Sequence, residues 1–376
     1  MIIYLIVLSS LLLGVFSEHF VKIKILNKII FQFNIIVLFL IAALRYKIAS
    51  DYSLFEKVYN QIKKLEKFQE LNQIKIERGY LYLNYVFTKS NLDYKVFIFL
   101  LHAILFIFLY KVLKKQSNKN LGLFMYYCLY YLINNFNNLR QGISEILFLY
   151  SLKFVIEDRY KKYFIFNLLG LTFHRISFLA LCGYLFIRKK QKILNYLLLI
   201  LISILFSLFF IDAKVISFLN ENFNNFEFVR RVHYYYFIKS KGKFGGNSII
   251  GYIYRLVLFM QALFLLKNSK KKYDIIVANL IIYSVSIYFL LSNVGVLAGR
   301  ISKFYQCASI LLGIRLVTSI KSYKKKLVII IFIVFYNVAF FIKELNDVHP
   351  ITKEYYYHPY RNIFIKGEEK KWEQLY

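Results

Sequence analysis

Arginine is distributed unevenly along this sequence, and its placement indicates chemistry with phosphate groups. The basic residues of the short polar connections between apolar stretches are nearly all lysine, whereas arginine stands mainly in longer connections and at the ends of apolar stretches. A guanidinium binds phosphate oxygens through paired hydrogen bonds and keeps its charge when partly buried. The pattern predicts a site for a polyanionic lipid head group such as a pyrophosphate; pairing with Asp51, Glu77 or lipid phosphate is the alternative. These arginines are Arg45, Arg78, Arg140, Arg175, Arg230, Arg231, Arg300 and Arg361.

A polar corner separates two apolar stretches at residues 134–141. It reads Asn-Asn-Phe-Asn-Asn-Leu-Arg-Gln, and amide and guanidinium groups together can bind sugar hydroxyls and phosphate. Arg140 and Gln141 are expected to open the next helix, where backbone N–H groups also favour an anion. Glu145, one turn further on, offers Arg140 a carboxylate partner.

A histidine stands between two short apolar stretches, in the sequence Phe-His-Arg-Ile-Ser at 173–177. A neutral His174 imidazole can take a proton from a sugar hydroxyl near neutral pH; a structural role at a helix junction is the alternative. Asp51 and Glu77 are competing bases. A carboxylate beside an arginine stays ionised, so it is a weak base that mainly orients substrate.

Nucleotide-driven and metal-dependent chemistry are not expected. The sequence has no Walker phosphate loop, dinucleotide glycine fingerprint or HExxH pair, so an enzyme of this kind needs a donor that is already activated. No cofactor or metal is implied, because arginines can balance the charge and acidic clusters are sparse. Cys128, Cys182 and Cys307 lack metal-ligand spacing, and we interpret them as small core residues.

The scaffold that positions these residues is predicted to be a membrane bundle. The 376-residue chain is 59% hydrophobic, more than a soluble domain of this length can bury. Apolar runs of roughly 17–25 residues match the bilayer core. The sequence predicts an all-α, polytopic integral membrane bundle, a single transmembrane domain over residues 1–376, with about 12 spanning helices and 10–12 as the range. The predicted spans are 1–17, 29–46, 95–113, 121–136, 140–156, 162–173, 176–187, 193–211, 249–266, 274–292, 300–317 and 327–343.

The net charge of +31 follows from the same scaffold. Basic residues cluster in every second connection, which predicts cytoplasmic loops there and places both termini outside. Since the charges serve topology, we expect no nucleic-acid partner. The basic clusters lie within 22–28, 114–119, 159–162, 188–192, 270–272 and 324–326.

The remaining connections are longer: outer loops at 47–94 and 212–248, and an outer tail at 344–376. Apolar residues recur at helical spacing from Leu54 to Phe68, which predicts an amphipathic helix on the outer interface. The second loop ends in a glycine-rich turn at 241–246. Residues 163–187 form either one span or two short helices meeting at His174, and two helices avoid burying His and Arg at the bilayer centre.

Taken in order, the motifs resemble the EpsG family of Wzy-like polymerases of exopolysaccharide, capsule and O-antigen. Residues 299–305 resemble the family's later arginine-containing helix start, and 358–361 its Pro-Tyr tail. The chain has Ala49-Ser50 where the family usually has glycine before its Asp-Tyr pair, and Phe178 where alanine is common. The ordered motifs are Arg45, Asp51-Tyr52, Glu77-Arg78-Gly79-Tyr80, Asn138-Leu139-Arg140-Gln141-Gly142-Ile143 and Phe173-His174-Arg175-Ile176-Ser177.

The resemblance implies a membrane glycosyltransferase, akin to the type C enzymes, at the outer face of the bacterial plasma membrane. It is expected to join undecaprenyl-pyrophosphate-linked oligosaccharide repeat units within membrane lipid, with a chain-length regulator and a flippase as further partners. A flippase for the same lipid-linked units, favoured by Arg255 inside a span, and an O-antigen ligase are the alternative functions. The catalytic candidates are His174, Arg140, Glu77 and Asp51; the substrate-binding candidates are Arg45, Gln141, Arg175, Arg231 and Arg300.

Overall fold

The structure is a computed structural model, and it describes residues 1–21, 23–210, 213–239, 249–349 and 352–365. Over these ranges the regular elements are helices, with two isolated β-bridges, Arg45 to Asn362 and Val348 to Tyr355. The predicted turn at 241–246 lies outside the described residues. The α-helices are α1 Ile2–Phe16, α2 Lys24–Ala43, α3 Ser50–Lys63, α4 Arg78–Lys89, α5 Tyr94–Leu113, α6 Lys119–Tyr126, α7 Leu139–Ile156, α8 Tyr160–Phe173, α9 Phe178–Gly183, α10 Ile193–Phe210, α11 Ala213–Phe223, α12 Glu227–His233, α13 Ile249–Asn268, α14 Lys272–Leu290, α15 Gly295–Gln306, α16 Ser309–Ser319 and α17 Tyr323–Leu345.

Shorter helical segments of other pitch join several of these helices. Wider, π-helical turns continue α1 and follow α6 and α12, and tighter 3-10 turns precede α4 and α9. The π-helical segments are Ser17–Val21, Tyr127–Tyr131, Ile133–Asn137 and Tyr234–Lys239, and the 3-10 segments are Phe68–Gln73 and Arg175–Ser177.

The chain divides into two compact units. The first comprises Met1–Leu181 and Ile320–Tyr376, and the second comprises Cys182–Ser319. In the first, α7 packs against α5 and α8, α2 packs against α1 and α5, and α3 packs against α4. In the second, α14 is central and contacts α10, α13, α15 and α16. The prediction of a single transmembrane domain stays a prediction.

Membrane-spanning length and apolarity are met by 6 helices of the described chain. The bent pair Ile193–Phe209 and Lys214–Phe223, which turns by 78°, adds a seventh if it is one span. The protein is therefore a helical membrane protein, while the count of about 12 and the outward orientation of both termini stay predictions. The 6 helices are Ile2–Val21, Lys24–Ala43, Tyr94–Leu113, Ile249–Asn268, Lys272–Leu290 and Tyr323–Leu345.

Two predictions about span continuity have different outcomes. The predicted division of 163–187 is confirmed, because α8 ends at Phe173 and His174 has extended backbone angles. The predicted continuous span at 300–317 is wrong. A break after Gln306 separates α15 from α16, and apolar composition carries no signal for such a break.

The amphipathic segment near the first long loop also differs from its prediction. Helix α3 begins near the predicted position, but it ends at Lys63, before the last apolar residues of the pattern. Its face carries Tyr59 and Ile62, which are buried against protein. Ile62 packs with Leu71 and Leu81, so the helix does not lie with its apolar face on the membrane interface. An apolar stripe can pack against lipid or against another helix, so the sequence alone does not tell which of the two covers this face of α3.

Candidate functional site

A small cleft in the first unit brings together side chains from four separated parts of the sequence. Arg45, Asp51, Tyr80 and Arg140 line it, and its volume is about 10 Å³, which is room for about one water molecule. Its apolar walls are Phe55, Tyr94, Ile98 and Leu139. Three residues predicted to act on substrate therefore share one cleft.

Asp51 is presented to the cleft by a sharp backbone turn. Ala49, just before α3, has a φ of 62° and a ψ of 161°, a conformation that is essentially restricted to glycine. Its methyl group is fully buried. The family resemblance places glycine at this part of the motif, and the backbone geometry gives the physical reason for that preference.

Arg140 forms an ion pair with Glu77, which immediately precedes α4. The guanidinium carbon lies 4.5 Å from the ring centroid of Phe55 and 5.4 Å from that of Tyr80. The side chains of Arg140 and Glu77 are 21% and 11% exposed, so the pair is partly shielded but reachable. The expectation that Glu145 would be the partner of Arg140 is not met, since Glu77 lies 63 residues away along the chain.

Glu77 also joins the cleft to the corner at 174–177. Its second carboxylate oxygen accepts a hydrogen bond from the Arg175 N–H at 3.3 Å. His174 accepts the Ile176 N–H at Nδ1, also at 3.3 Å, so its neutral ring carries the proton on Nε2. Ser177 bonds to Ser144 of α7. The corner is thus fixed to two helices, and the Arg175 side chain is exposed.

Glu145 anchors the polar corner from inside the bundle. This carboxylate is 1% exposed and accepts hydrogen bonds from Asn134 and Gln141, each at 2.7 Å. Gln141, predicted to bind substrate, therefore directs its amide group to Glu145. Gly142 allows the close approach, because a Cβ there would lie 2.8 Å from the Asn134 Cβ.

Arg45 is hydrogen-bonded to His102, a residue that was not among the candidates predicted from the sequence. Arg45 is 2% exposed and His102 is fully buried in α5; Arg45 Nη1 lies 2.9 Å from His102 Nε2. A guanidinium only donates, so Nε2 accepts, and Nδ1–H donates to the Ile98 carbonyl at 2.8 Å. His102 is therefore neutral. The signal available was a polar ring inside an apolar span, which is costly unless it has a role.

Burial also acts on the charge of Arg45 itself. Desolvation lowers the pKa of Arg45, while Tyr94, Tyr52 and the Asp51 carboxylate oppose that shift. A guanidinium nevertheless stays protonated in proteins. Arg45 thus supplies the cleft with a permanent positive charge, and the neutral ring of His102 sets the orientation of its guanidinium.

Replacing His102 with leucine is expected to weaken function more than replacement with glutamine. Leucine removes the acceptor and leaves a buried guanidinium nitrogen without a partner, whereas the glutamine carbonyl can still accept. We expect the loss of one such bond to cost about 1.5–3 kcal/mol. Thermal unfolding in detergent and activity of the protein in cells check this, and equal behaviour of the two variants contradicts it.

The C-terminal tail closes over the chain on either side of Arg45. The Tyr46 N–H donates to the Arg361 carbonyl at 3.1 Å, and the Ile363 N–H donates to the Leu44 carbonyl at 3.0 Å. Tyr360 donates to the Ile41 carbonyl at 2.8 Å, and burial raises the pKa of Tyr360 to about 12. The tail residues that resemble the family motif therefore hold the segment that carries Arg45.

The remaining candidates belong to the second unit. Arg231 lies on α12 and Arg300 on α15, both with exposed side chains; their roles in substrate binding stay predictions. In the ranges that the structure describes, no group of three or more His, Cys, Asp or Glu side chains could hold a metal ion.

Comparisons with known proteins give one match. The model of the EpsG family matches residues 28–362, a range that contains every residue of the cleft and of the corner at 174–177. No curated protein and no solved structure matches the chain.

Proposed function

The chain belongs to the EpsG family, and from that membership we propose that it is a polysaccharide polymerase acting on lipid-linked repeat units. The membership indicates a membrane protein connected with exopolysaccharide. The observation that carries the finer proposal is the convergence of Arg45, Asp51 and Arg140 in one cleft, with Glu77 joining it to the corner at 174–177. We propose undecaprenyl-pyrophosphate-linked oligosaccharide as substrate and the outer face of the bacterial plasma membrane as the place of reaction.

The proposed reaction is a glycosyl transfer without metal. A sugar hydroxyl of the acceptor unit attacks the anomeric carbon of the growing glycan, and the bond from that carbon to the lipid diphosphate breaks. The electron pair leaves with the diphosphate, whose charge Arg45 and Arg140 stabilise as it develops. The hydroxyl proton passes to a base, and the products are an elongated lipid-linked glycan and a free lipid diphosphate.

We propose Asp51 as the base, because it lines the cleft together with Arg45 and Arg140. Glu77 accepts hydrogen bonds from Arg140 and from the Arg175 N–H, and the His174 Nδ1 accepts a backbone N–H, contacts that suit positioning roles. The neighbouring guanidinium keeps the carboxylate ionised and makes it a weak base, so Asp51 orients the incoming hydroxyl by accepting its hydrogen bond and takes the proton as the bond to the anomeric carbon forms. Glu77 and His174 would then act mainly by positioning Arg140 and the corner.

Replacing Asp51 with asparagine tests both the function and this choice of base. In a strain lacking the gene, wild-type protein should restore long polymer, whereas Asp51→Asn should lower its rate of formation by about 10²–10⁴-fold. Asp93→Asn is the matched control, because Asp93 is an exposed carboxylate at the start of α5. Gel profiles of surface glycan measure the outcome, and normal polymer from a well-expressed Asp51→Asn protein would exclude Asp51 as the base.

The location of unpolymerised units separates the polymerase from the alternatives. Loss of a polymerase leaves single repeat units on the outer leaflet, whereas loss of a flippase traps them on the inner leaflet. Loss of a ligase leaves long polymer on its lipid carrier. Labelling of lipid-linked glycan in intact and opened cells of the strain lacking the gene distinguishes these outcomes.

A further inference from the structure

A basic side chain lies inside a membrane-spanning helix of the second unit. Arg255 belongs to α13, within the span Ile249–Asn268. Its guanidinium carbon lies 3.8 Å from the ring centroid of Tyr288 and 5.3 Å from that of Tyr254. A charge within a span is costly and is retained where it has a function.

The hydrogen-bond partners of Arg255 are neutral and distant. Nη1 donates to the Gly251 carbonyl at 3.3 Å, and Nη2 donates to Gln306 Oε1 at 3.4 Å, while Nε is buried without a partner. Across the described part of this unit, no carboxylate forms an ion pair with Arg255; the buried Asp274 is paired with Arg315 instead. The guanidinium keeps donors and positive charge that these contacts do not use.

Three helices build the surroundings of this guanidinium. Tyr254 comes from α13, Tyr288 from α14 and Gln306 from the end of α15. The Gln306 Nε2 donates to the Tyr254 hydroxyl at 3.0 Å, which fixes the amide so that its oxygen faces Arg255. Stacking on Tyr288 occupies one face of the guanidinium, and the N–H groups in its plane remain suited to phosphate oxygens.

We propose that Arg255 is a second phosphate site, which binds the diphosphate of a lipid-linked saccharide. The assignment rests on the proposed function, since each transfer involves two lipid diphosphates, one on the donor and one on the acceptor. Arg300 and Lys303 on α15 add positive charge to the same unit. The proposed ligand is a phosphate group attached to a lipid. An arginine within a membrane span can bind such a group inside the bilayer.

Direct binding tests this site apart from polymerase activity. We would measure farnesyl diphosphate binding to the full chain in phosphatidylcholine nanodiscs, in an Arg140→Gln/Glu77→Gln background that removes the Arg140 charge from the first-unit cleft. Arg255→Gln should weaken binding about tenfold or more, and Arg255→Lys should weaken it less. Lys267→Gln, which removes an exposed charge from the same helix, should bind as the background does. Unchanged affinity in Arg255→Gln overturns the proposal, whatever the polymer assays show.

A Gln306→Glu variant keeps the test valid if Arg255→Gln does not fold. The new carboxylate would pair with Arg255 and compete with the diphosphate, so farnesyl diphosphate binding should fall about tenfold or more, and thermal unfolding verifies that the variant is folded. A purely structural Arg255 predicts unchanged binding in the folded variant, which overturns the proposal. Inorganic pyrophosphate binding as tightly as farnesyl diphosphate overturns the lipid-borne assignment, as does displacement of the probe by phosphatidylglycerol in the disc.

Discussion

Replacing Arg140 with glutamine is expected to abolish long polymer in cells. The guanidinium lies in the cleft with Arg45 and is proposed to stabilise the negative charge that develops on the departing diphosphate. Removing one such preorganised donor costs about 10²–10³-fold in rate, and repeated transfer is needed for each long chain. The gel profile of surface glycan should therefore collapse to single or few repeat units.

Stability must be separated from activity in this experiment. Loss of Arg140 leaves the Glu77 carboxylate, which is 11% exposed, without its ion-pair partner, and this alone lowers the free energy of unfolding. The double variant Arg140→Gln/Glu77→Gln removes both charges. It should regain folded protein without regaining polymer, and recovery of polymer would reduce the pair to a structural role.

The chain offers a matched control for the same chemistry. Arg159 also pairs with a glutamate, Glu157, at 3.2 Å, but these side chains are 59% and 44% exposed. Exposed pairs contribute little, so Arg159→Gln should leave both folding and polymer unchanged. Equal losses from Arg140→Gln and Arg159→Gln would contradict a role for the cleft.

The sequence predicted the members of this site better than their partners. Arg45, Asp51 and Arg140 were identified from residue type and motif order, and the break at His174 followed from the cost of burying a His–Arg pair at bilayer depth. The pairing of Arg140 was not predictable in the same way. Glu145 and Glu77 are both carboxylates, and the choice between them depends on how α4 and α7 are placed in three dimensions.

Residues that position the candidate catalytic groups are harder to identify from the sequence. His102 is one polar residue in a long apolar helix, and only its hydrogen bond to Arg45 at 2.9 Å reveals a purpose. The buried face of α3 looks the same in sequence whether lipid or protein covers it. Both features depend on contacts between distant segments, which residue spacing along one helix does not report.

Two glycines also show that packing cannot be predicted from sequence alone. Replacing each with alanine is expected to change the stability of the protein in opposite directions. Gly79 and Gly299 both stand in motifs that resemble the family, one beside Arg78 and the other beside Arg300. A Cβ on Gly79 would lie 2.4 Å from the Thr172 Cβ and 2.9 Å from the Thr172 backbone carbonyl, whereas a Cβ on Gly299 would meet nothing within 4 Å. The two positions therefore differ in packing although they look alike in sequence.

Gly79→Ala is expected to destabilise the protein and impair polymer formation, because α4 or α8 must move to admit the methyl group. Overpacking of this kind costs about 1–3 kcal/mol, and the shift would displace Glu77 from Arg140 and from the corner that follows α8. Gly299→Ala should instead stabilise α15 by up to about 1 kcal/mol, since alanine favours a helix interior over glycine. Thermal unfolding in detergent together with polymer yield measures both. A Gly79→Ala protein as stable and active as wild type would show that contact between α4 and α8 does not set the geometry of the cleft.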